Sequence, residues 1–135
     1  MTKPSPFAPT ELPTLPAIGG VALAAVEAGI RYQGRKDLLL VRFAEGAQVG
    51  GALTTSRTPS PAVNWCRNLL SDGRPARALV VNSGNANAFT GQRGVDAVHL
   101  TAQIAAEMAG CAPEDVFLAS TGVIGEPLEV SAFAD

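Results

Sequence analysis

A threonine and a glycine follow an apolar run near the C-terminal end of the sequence. The run VFLA (residues 116–119) is followed directly by the segment STGVIG (residues 120–125). A buried strand that leads into a Thr-Gly turn can place the hydroxyl of Thr121 beside the backbone N–H of Gly122 at the edge of a sheet. Two rigid donors in that arrangement form an oxyanion hole, because they stabilise negative charge on a reacting carbonyl oxygen. Thr and Gly are also common turn residues, so an ordinary strand-ending turn is the alternative interpretation.

A second segment, rich in asparagine and glycine, follows another apolar run. Residues 82–91 (NSGNANAFTG) join the run ALVV (residues 78–81) to a helical stretch. Asn and Gly tolerate left-handed backbone, and Asn side chains bond to nearby main chain. By composition alone this segment is interpreted as a structural turn.

Taken together, these two segments resemble the glutamate N-acetyltransferase (ornithine acetyltransferase) family of arginine biosynthesis. The similarity spans roughly residues 17 to 131. It includes AGI at 28–30, GRKDLLLV at 34–41, TTS at 54–56, PAV at 61–63, WCR at 65–67 and RALVVN at 77–82. The sequence departs from the family at Ala52-Leu53, where Val-Phe is more usual, and both pairs are apolar.

The resemblance assigns an oxyanion hole to Thr121 and Gly122, because the Thr-Gly pair of STGVIG has that role in the family. The family's nucleophile is a threonine that becomes the N-terminus of a second chain after self-cleavage, and its own α-amine serves as the base. We expect that cleavage site to lie beyond Asp135, so that this chain carries no nucleophile and is inactive alone. The Asn82–Gly91 segment matches as a family signature, without a chemical role for its residues.

The resemblance also implies an activity and a set of partners. The chain would be the N-terminal (α) part of an enzyme that moves acetyl from N-acetylornithine to glutamate through an acetyl-threonine. Some members also accept acetyl-CoA, a point that the sequence leaves open. The expected partner is a β chain that carries the threonine, in an α2β2 heterotetramer. Two alternatives remain: a self-processing amidase or aminopeptidase of similar fold, and an inactive truncated fragment.

Composition excludes several other classes of protein. The 135 residues are 47% hydrophobic and 16% charged, which is enough apolar material for one domain with a core. A net charge of −2 and 5% aromatic residues argue against nucleic acid as a partner. We see neither a signal peptide nor an apolar run long enough for a membrane span, so a cytoplasmic protein is expected.

Other chemistry-bearing residues lack the partners that a second site would need. Cys66 and Cys111 are far apart in sequence and are predicted to be reduced, buried thiols. His99 lies in a predicted helix and is interpreted as a packing or surface residue. No metal-ligand spacing or nucleotide-binding glycine motif is present, so neither a metal nor a cofactor is expected. Arg31, Arg35 and Lys36 indicate a solvated hairpin tip, with recognition of a substrate carboxylate as the alternative.

The pattern of apolar and turn residues predicts an α/β fold. Residues 1–16 carry half of the prolines and are predicted to be an extended arm, with residues 17–135 forming part of the acetyltransferase domain. Strands are expected at 21–26, 37–43, 47–53, 77–81 and 115–119. Helices are expected at 60–71 and 95–109, and another helix is expected to start at 126–129. The fold class implied by the resemblance is a layered α/β sandwich of the ornithine acetyltransferase and self-processing aminopeptidase type, of which this chain forms only part.

Overall fold

The computed structural model describes residues 6–11 and 13–133. Four strands and two α-helices follow one another: β1 (Val21–Val26), β2 (Leu38–Phe43), α1 (Pro61–Ser71), β3 (Ala78–Asn85), α2 (Gly91–Ala109) and β4 (Val116–Val123). Short 3₁₀ turns lie at Pro113–Asp115 and Val130–Phe133. The chain therefore has the mixed α/β composition that the sequence predicts.

The strands form one sheet in the order β1-β2-β3-β4. Strand β2 pairs antiparallel with both β1 and β3, whereas β3 and β4 are parallel. Parallel neighbours need a crossover connection, and α2 supplies it. As a result, the ends of β3 and β4 lie side by side, which brings the two polar segments of the sequence together.

Helix α2 covers one face of the sheet, which we call the α2 face. Its buried residues are small and recur every three or four positions: Gly94, Ala97, Val98, Thr101, Ala102, Ala105, Ala106 and Ala109. They pack on Ala78 and Val80 of β3 and on Val116 and Leu118 of β4. Such small side chains allow the helix axis to approach the sheet closely.

The opposite face of the sheet is covered only at one end, and we call it the open face. A cluster there joins Phe117 of β4 and Leu79 of β3 to Leu69 of α1 and to Val49 and Leu53 of the preceding segment. Toward the other end of the strands, Leu39 and Val81 are half-buried and Leu23 is 68% exposed. Strand β2 lies between β1 and β3, and most of its apolar residues are only half-buried.

Helix α1 begins and ends where the sequence predicts. Ser60 caps its N-terminus by accepting a hydrogen bond from the Val63 N–H, and Pro61 occupies its first turn. The helix ends at Ser71, directly before Asp72-Gly73. Helix α2 likewise ends at Gly110, whose φ of 67° is left-handed, but it begins at Gly91 rather than at Val95.

Two local predictions are wrong. Residues 47–53 do not form a strand: Gly50-Gly51 interrupts the run, and Ala47 accepts one backbone hydrogen bond, from Ala76, where a strand would have a ladder. No helix begins at 126–129, and the 3₁₀ turn starts at Val130 instead. The apolar residues Leu100, Ile104 and Met108 recur at spacing four along α2, but Leu100 and Met108 are exposed.

Strands β3 and β4 both extend further than predicted. Strand β3 continues through Asn82–Asn85, so the asparagine-rich segment is a strand end before it is a loop. Strand β4 continues to Val123, so Thr121 and Gly122 lie inside the strand and not in a turn after it. Pairing between the two strands over this stretch accounts for the extra length.

The boundary at residue 16 stays a prediction. Residues 6–11 and 13–20 are exposed throughout, as expected of an arm. Residues 1–5 and 12 lie outside the described part of the chain.

Candidate active site

Thr121 and Gly122 lie near the C-terminal end of β4, and both are exposed. The Thr121 hydroxyl makes no hydrogen bond to any residue that the structure describes. Ala119 and Thr121 project from the same face of the strand as Phe117, which lies in the open-face cluster. The hydroxyl is therefore a free donor at the uncovered end of the open face.

The backbone of Gly122 touches the backbone of β3. A Cβ added at Gly122 would lie 2.3 Å from the Gly84 carbonyl carbon and 2.5 Å from the Asn85 nitrogen. Gly122 has a φ of 136° and Gly84 has a φ of 109°, conformations that side chains rarely adopt. Glycine is thus required at position 122 for close approach as well as for backbone geometry.

The hydrogen-bonding sides of β4 can be assigned from its neighbours. Asp115 and Val123 accept backbone hydrogen bonds from Arg77 and Ala86, so the backbone polar groups of the odd-numbered residues of β4 point toward β3. The backbone polar groups of Val116 and Leu118 point away from β3 and bind side chains of helix α1. Because polar groups alternate sides along a strand, the Gly122 N–H belongs to the edge that faces away from β3.

Helix α1 covers the first part of this edge. The Trp65 Nε1–H donates to the Val116 carbonyl at 2.8 Å. The Cys66 thiol donates to the Leu118 carbonyl at 3.2 Å and accepts from the Leu118 N–H at 3.4 Å. These bonds satisfy polar groups that a bare edge strand would leave unpaired. The cover stops at Leu118, so the edge is open at Gly122.

Asn85 ties the end of β3 to the chain that follows β4. Its side-chain Nδ2 donates to the carbonyls of Glu126 at 3.0 Å and Pro127 at 3.2 Å. Its Oδ1 accepts from the Asn87 N–H at 2.6 Å, and its own carbonyl accepts from the Asn82 side chain at 2.9 Å. Asn85 is buried, so each of these bonds replaces one that water would otherwise supply.

Asn87 continues the network toward α2. It is fully buried, and its Nδ2 donates to the Gly94 carbonyl at 2.9 Å. The Thr90 hydroxyl donates to its Oδ1 at 3.0 Å. Asn87 has a φ of 45°, a left-handed conformation that asparagine tolerates better than most residues. The asparagine-rich segment is therefore a buried hydrogen-bond network that fixes the strand ends.

The connection between β1 and β2 packs beside the same strand ends. Buried Asp37 accepts from the N–H groups of Ala28 at 2.7 Å and Ile30 at 2.8 Å, which fixes the start of this loop. Arg31 pairs with Glu126 at 2.6 Å. The Arg35 guanidinium lies 3.7 Å from the centre of the Tyr32 ring and 3.4 Å from the Ser83 hydroxyl. The basic residues are exposed, as predicted for a hairpin tip, but this tip is held against β3.

The two cysteines and the histidine lie away from Thr121. Both thiols are free; Cys66 is buried and Cys111 is half-buried. Burial raises the pKa of the Cys66 thiol, against the lowering effect of its hydrogen bond with Leu118. Burial and the nearby Asp115 carboxylate raise the pKa of Cys111. His99 is exposed, and its ring makes an edge contact with Trp65 at 5.1 Å.

The described residues hold no cluster of side chains of the kind that binds a metal ion. Within residues 6–11 and 13–133, no group of three or more His, Cys, Asp or Glu residues could hold a metal ion. Over the same residues, no helix is long and apolar enough to cross a membrane.

The sequence suggested Thr121 and Gly122 as candidate donors, which stays a prediction, but it did not suggest the residues that contact them. The signal was present in the alignment of the two segments. In the parallel register Asn82, Ser83 and Gly84 pair with Ser120, Thr121 and Gly122, so similar polar triplets follow similar apolar runs. Two parallel strands that end in matching triplets are expected to meet there. The role of Trp65 and Cys66 on the edge of β4 had no comparable signal.

Comparison with known proteins shows the family. The model of the ArgJ family matches residues 22–135. The arginine biosynthesis bifunctional protein ArgJ of Nitrobacter winogradskyi is 58% identical over 98% of this chain, which covers 32% of that relative. The protein of the same name from Bradyrhizobium diazoefficiens is 56% identical over 96% of this chain, which covers 31% of it. The chain thus spans about a third of the length of these relatives.

Solved structures agree with this match. The crystal structure of ArgJ from Bacillus halodurans superposes with a TM-score of 0.80 at 28% identity, over 86% of this chain and 60% of that chain. Ornithine acetyltransferase from Mycobacterium tuberculosis, solved in complex with ornithine, superposes with a TM-score of 0.79 at 34% identity, over 86% of this chain and 63% of that chain. The predicted fold class is therefore confirmed, with the chain covering part of the fold. This chain, with its Thr-Gly and asparagine-rich segments at the ends of β4 and β3, therefore belongs to the ArgJ family.

Proposed function

We propose that this chain is the α-chain part of a glutamate N-acetyltransferase of arginine biosynthesis, and that Thr121 and Gly122 form its oxyanion hole. The complete enzyme transfers acetyl from N-acetylornithine to glutamate. Its nucleophile is the N-terminal threonine of a second chain, which lies in the part of the family's length outside residues 1–135. The α and β chains assemble as an α2β2 heterotetramer in the cytoplasm.

One observation carries the assignment of the site. The free hydroxyl of Thr121 is adjacent in sequence to a glycine whose N–H belongs to the uncovered edge of β4. An oxyanion hole needs donors that are rigid, unpaired and accessible to a substrate. The Thr121 hydroxyl is unpaired among the described residues and exposed, and the close contact of Gly122 with Gly84 holds the backbone that carries the second donor.

The proposed chemistry uses these donors at each acyl-transfer step. The threonine Oγ attacks the acetyl carbon of N-acetylornithine while its α-amine takes the proton. The carbonyl electrons move onto the oxygen, and Thr121 and Gly122 donate to that negative charge. The C–N bond then breaks, the α-amine returns the proton to the leaving amine, and ornithine departs. In the second half, the glutamate amine attacks the carbonyl carbon of the acetyl-threonine and the α-amine takes a proton from it. Collapse of this second tetrahedral intermediate breaks the C–Oγ bond, the proton returns to Oγ, and N-acetylglutamate departs.

Kinetics of Thr121 variants in the complete enzyme test this proposal. Thr121→Ala should lower kcat by roughly 100-fold, equivalent to about 3 kcal/mol, with little change in KM, because the donor matters most after charge has formed. Thr121→Ser keeps the hydroxyl and should retain most of the activity. Wild-type turnover in Thr121→Ala, or equal loss in both folded variants, would make Thr121 a structural residue.

The products distinguish the transferase from its rivals. A transferase yields N-acetylglutamate when glutamate is present, whereas a self-processing amidase yields free acetate. The structure of the Mycobacterium tuberculosis relative with ornithine favours the transferase. An inactive fragment would show neither product even when the remaining part of the protein is present.

A further inference from the structure

Asn85 lies beside the backbone of Gly122: a Cβ added at Gly122 would lie 2.5 Å from the Asn85 nitrogen. In the register between β3 and β4, Asn85 pairs with both Thr121 and Val123, the residues on either side of Gly122. The register shifts at this point, so the pairing of the two strands is irregular there. Asn85 is thus the residue of β3 that pairs with the backbone on either side of Gly122.

The Asn85 side chain also binds the chain that follows β4. Its Nδ2 binds the carbonyls of Glu126 and Pro127, and its Oδ1 binds the Asn87 N–H. One buried side chain therefore joins the end of β3 to the segment that leaves β4. Both of its Nδ2 hydrogens and its Oδ1 have partners, so it can hold only one orientation without losing a bond.

The backbones of Gly84 and Gly122 are in close contact beside Asn85. Gly84 is itself packed under Arg31, whose Cβ lies 3.0 Å from the position of a Cβ on Gly84. Arg31 in turn pairs with Glu126, whose carbonyl accepts from Asn85. The 126–127 segment and the backbone of Gly122 are therefore linked through Asn85 and through Arg31 and Gly84.

We propose that Asn85 is a positioning residue for the oxyanion hole: it holds the chain after β4 against β3 so that the Gly122 N–H keeps its direction. This inference rests on the proposed function of Thr121 and Gly122. It gives the asparagine-rich segment a role in turnover besides its role in folding. Asn85 touches no substrate and acts only through Gly122.

A matched pair of substitutions in the complete enzyme tests the proposal. Asn85→Asp places a carboxylate oxygen against the carbonyls of Glu126 and Pro127. Asn87→Asp makes the same chemical change, also in a buried residue, against the Gly94 carbonyl. Both variants should lower the melting temperature. Asn85→Asp should also lower kcat by about tenfold or more with KM nearly unchanged, because small misplacement of a donor weakens charge stabilisation.

A measurement independent of activity reads the position of Gly122 directly. Residues 1–135 contain Thr-Gly pairs at Thr90-Gly91 and Thr121-Gly122. Threonine labelled at the carbonyl carbon and glycine labelled with ¹⁵N select the amide signals of Gly91 and Gly122 by NMR. Asn85→Asp should shift the Gly122 signal more than the Gly91 signal, and Asn87→Asp should do the reverse.

Each outcome decides the proposal. Normal kcat in Asn85→Asp, an equal fall of kcat in both variants at equal loss of stability, or an unmoved Gly122 signal would overturn it. If Asn85→Asp does not fold, Asn85→Ala, which removes the donors without adding charge, takes its place with Asn87→Ala as control. If Thr121→Ala keeps full turnover while the Gly122 signal still moves, the proposed function fails and Asn85 remains a structural clamp.

Discussion

The thiol of Cys66 is a buried group whose pKa is raised by folding. Its pKa is raised above the ordinary 9.0 because it is buried against β4. In the unfolded chain the thiol ionises at its ordinary pKa, whereas in the folded chain it keeps its proton to higher pH. Unfolding therefore releases a proton above about pH 9, and the stability contributed by Cys66 falls as the pH rises through this range.

Cys66→Ser should flatten this part of the pH profile. Serine keeps a donor and an acceptor for Leu118 but does not ionise in this range. The free energy of unfolding, measured by urea denaturation between pH 7.5 and 10, should fall less steeply in the variant than in the parent. Cys111→Ser is the comparison variant: its thiol also has a raised pKa, so removing it should flatten the profile by the Cys111 contribution alone and leave that of Cys66 in place. An unchanged slope in Cys66→Ser would contradict the assignment.

At the scale of elements, α1 functions as a cover for the edge of β4. Trp65 and Cys66 satisfy the outward polar groups of Val116 and Leu118, so the strand needs no further strand beside it there. Four residues after Leu118, the same edge is uncovered at Gly122. One strand is thus held rigidly by a helix and remains accessible at its end, as an oxyanion donor requires.

Trp65→Phe tests the cover. The variant leaves the Val116 carbonyl without its 2.8 Å donor, and we expect the free energy of unfolding to fall by about 1–3 kcal/mol. Hydrogen exchange of β4 amides should become faster. His99→Ala removes the ring contact with Trp65 but keeps the indole hydrogen bond, so it should cost less and leave β4 exchange nearly unchanged. Equal effects of the two variants would show that ring packing, and not the hydrogen bond, holds the edge.

On the scale of the whole molecule, both faces of the sheet leave apolar surface exposed. On the α2 face, a groove of about 420 Å³ lies between β1 and α2 and is lined by Val26, Leu40, Ile104 and Met108. Met108 is 65% exposed there, and Leu23 is 68% exposed on the open face. Contiguous apolar surface of this kind favours association with other protein surfaces.

The isolated chain of residues 1–135 is expected to bind hydrophobic dyes and to self-associate. Met108→Lys should reduce dye fluorescence and light scattering without lowering the melting temperature, because the side chain is not in the core. Gln103→Lys adds the same charge at an exposed position of the same helix and should change dye binding much less. A monodisperse parent chain with a cooperative melt and no dye binding would contradict the prediction.

The sequence by itself determined the bounds of α1, the end of α2 and the candidate donors. Ser60-Pro61 and Asp72-Gly73 bound α1, and Gly110 ends α2, because these residues have strong backbone preferences that need no distant partner. The pair Thr121-Gly122 and the family were also recognisable from residue types and their spacing. Each of these features depends on a few neighbouring residues.

Only the tertiary structure decided how these pieces act together. The length of β3 and β4, the contact of Gly84 with Gly122, and the bonds of Asn85 to residues 126 and 127 all join segments about 40 positions apart. Local preference predicted a turn at the asparagines, and pairing with β4 made them a strand end. The buried side of α2 was likewise set by what lies against it: alanines face the sheet, and the larger Leu100 and Met108 stay exposed. Hydrogen bonds and close contacts across the chain override local patterns, because buried polar groups must find partners wherever the fold provides them.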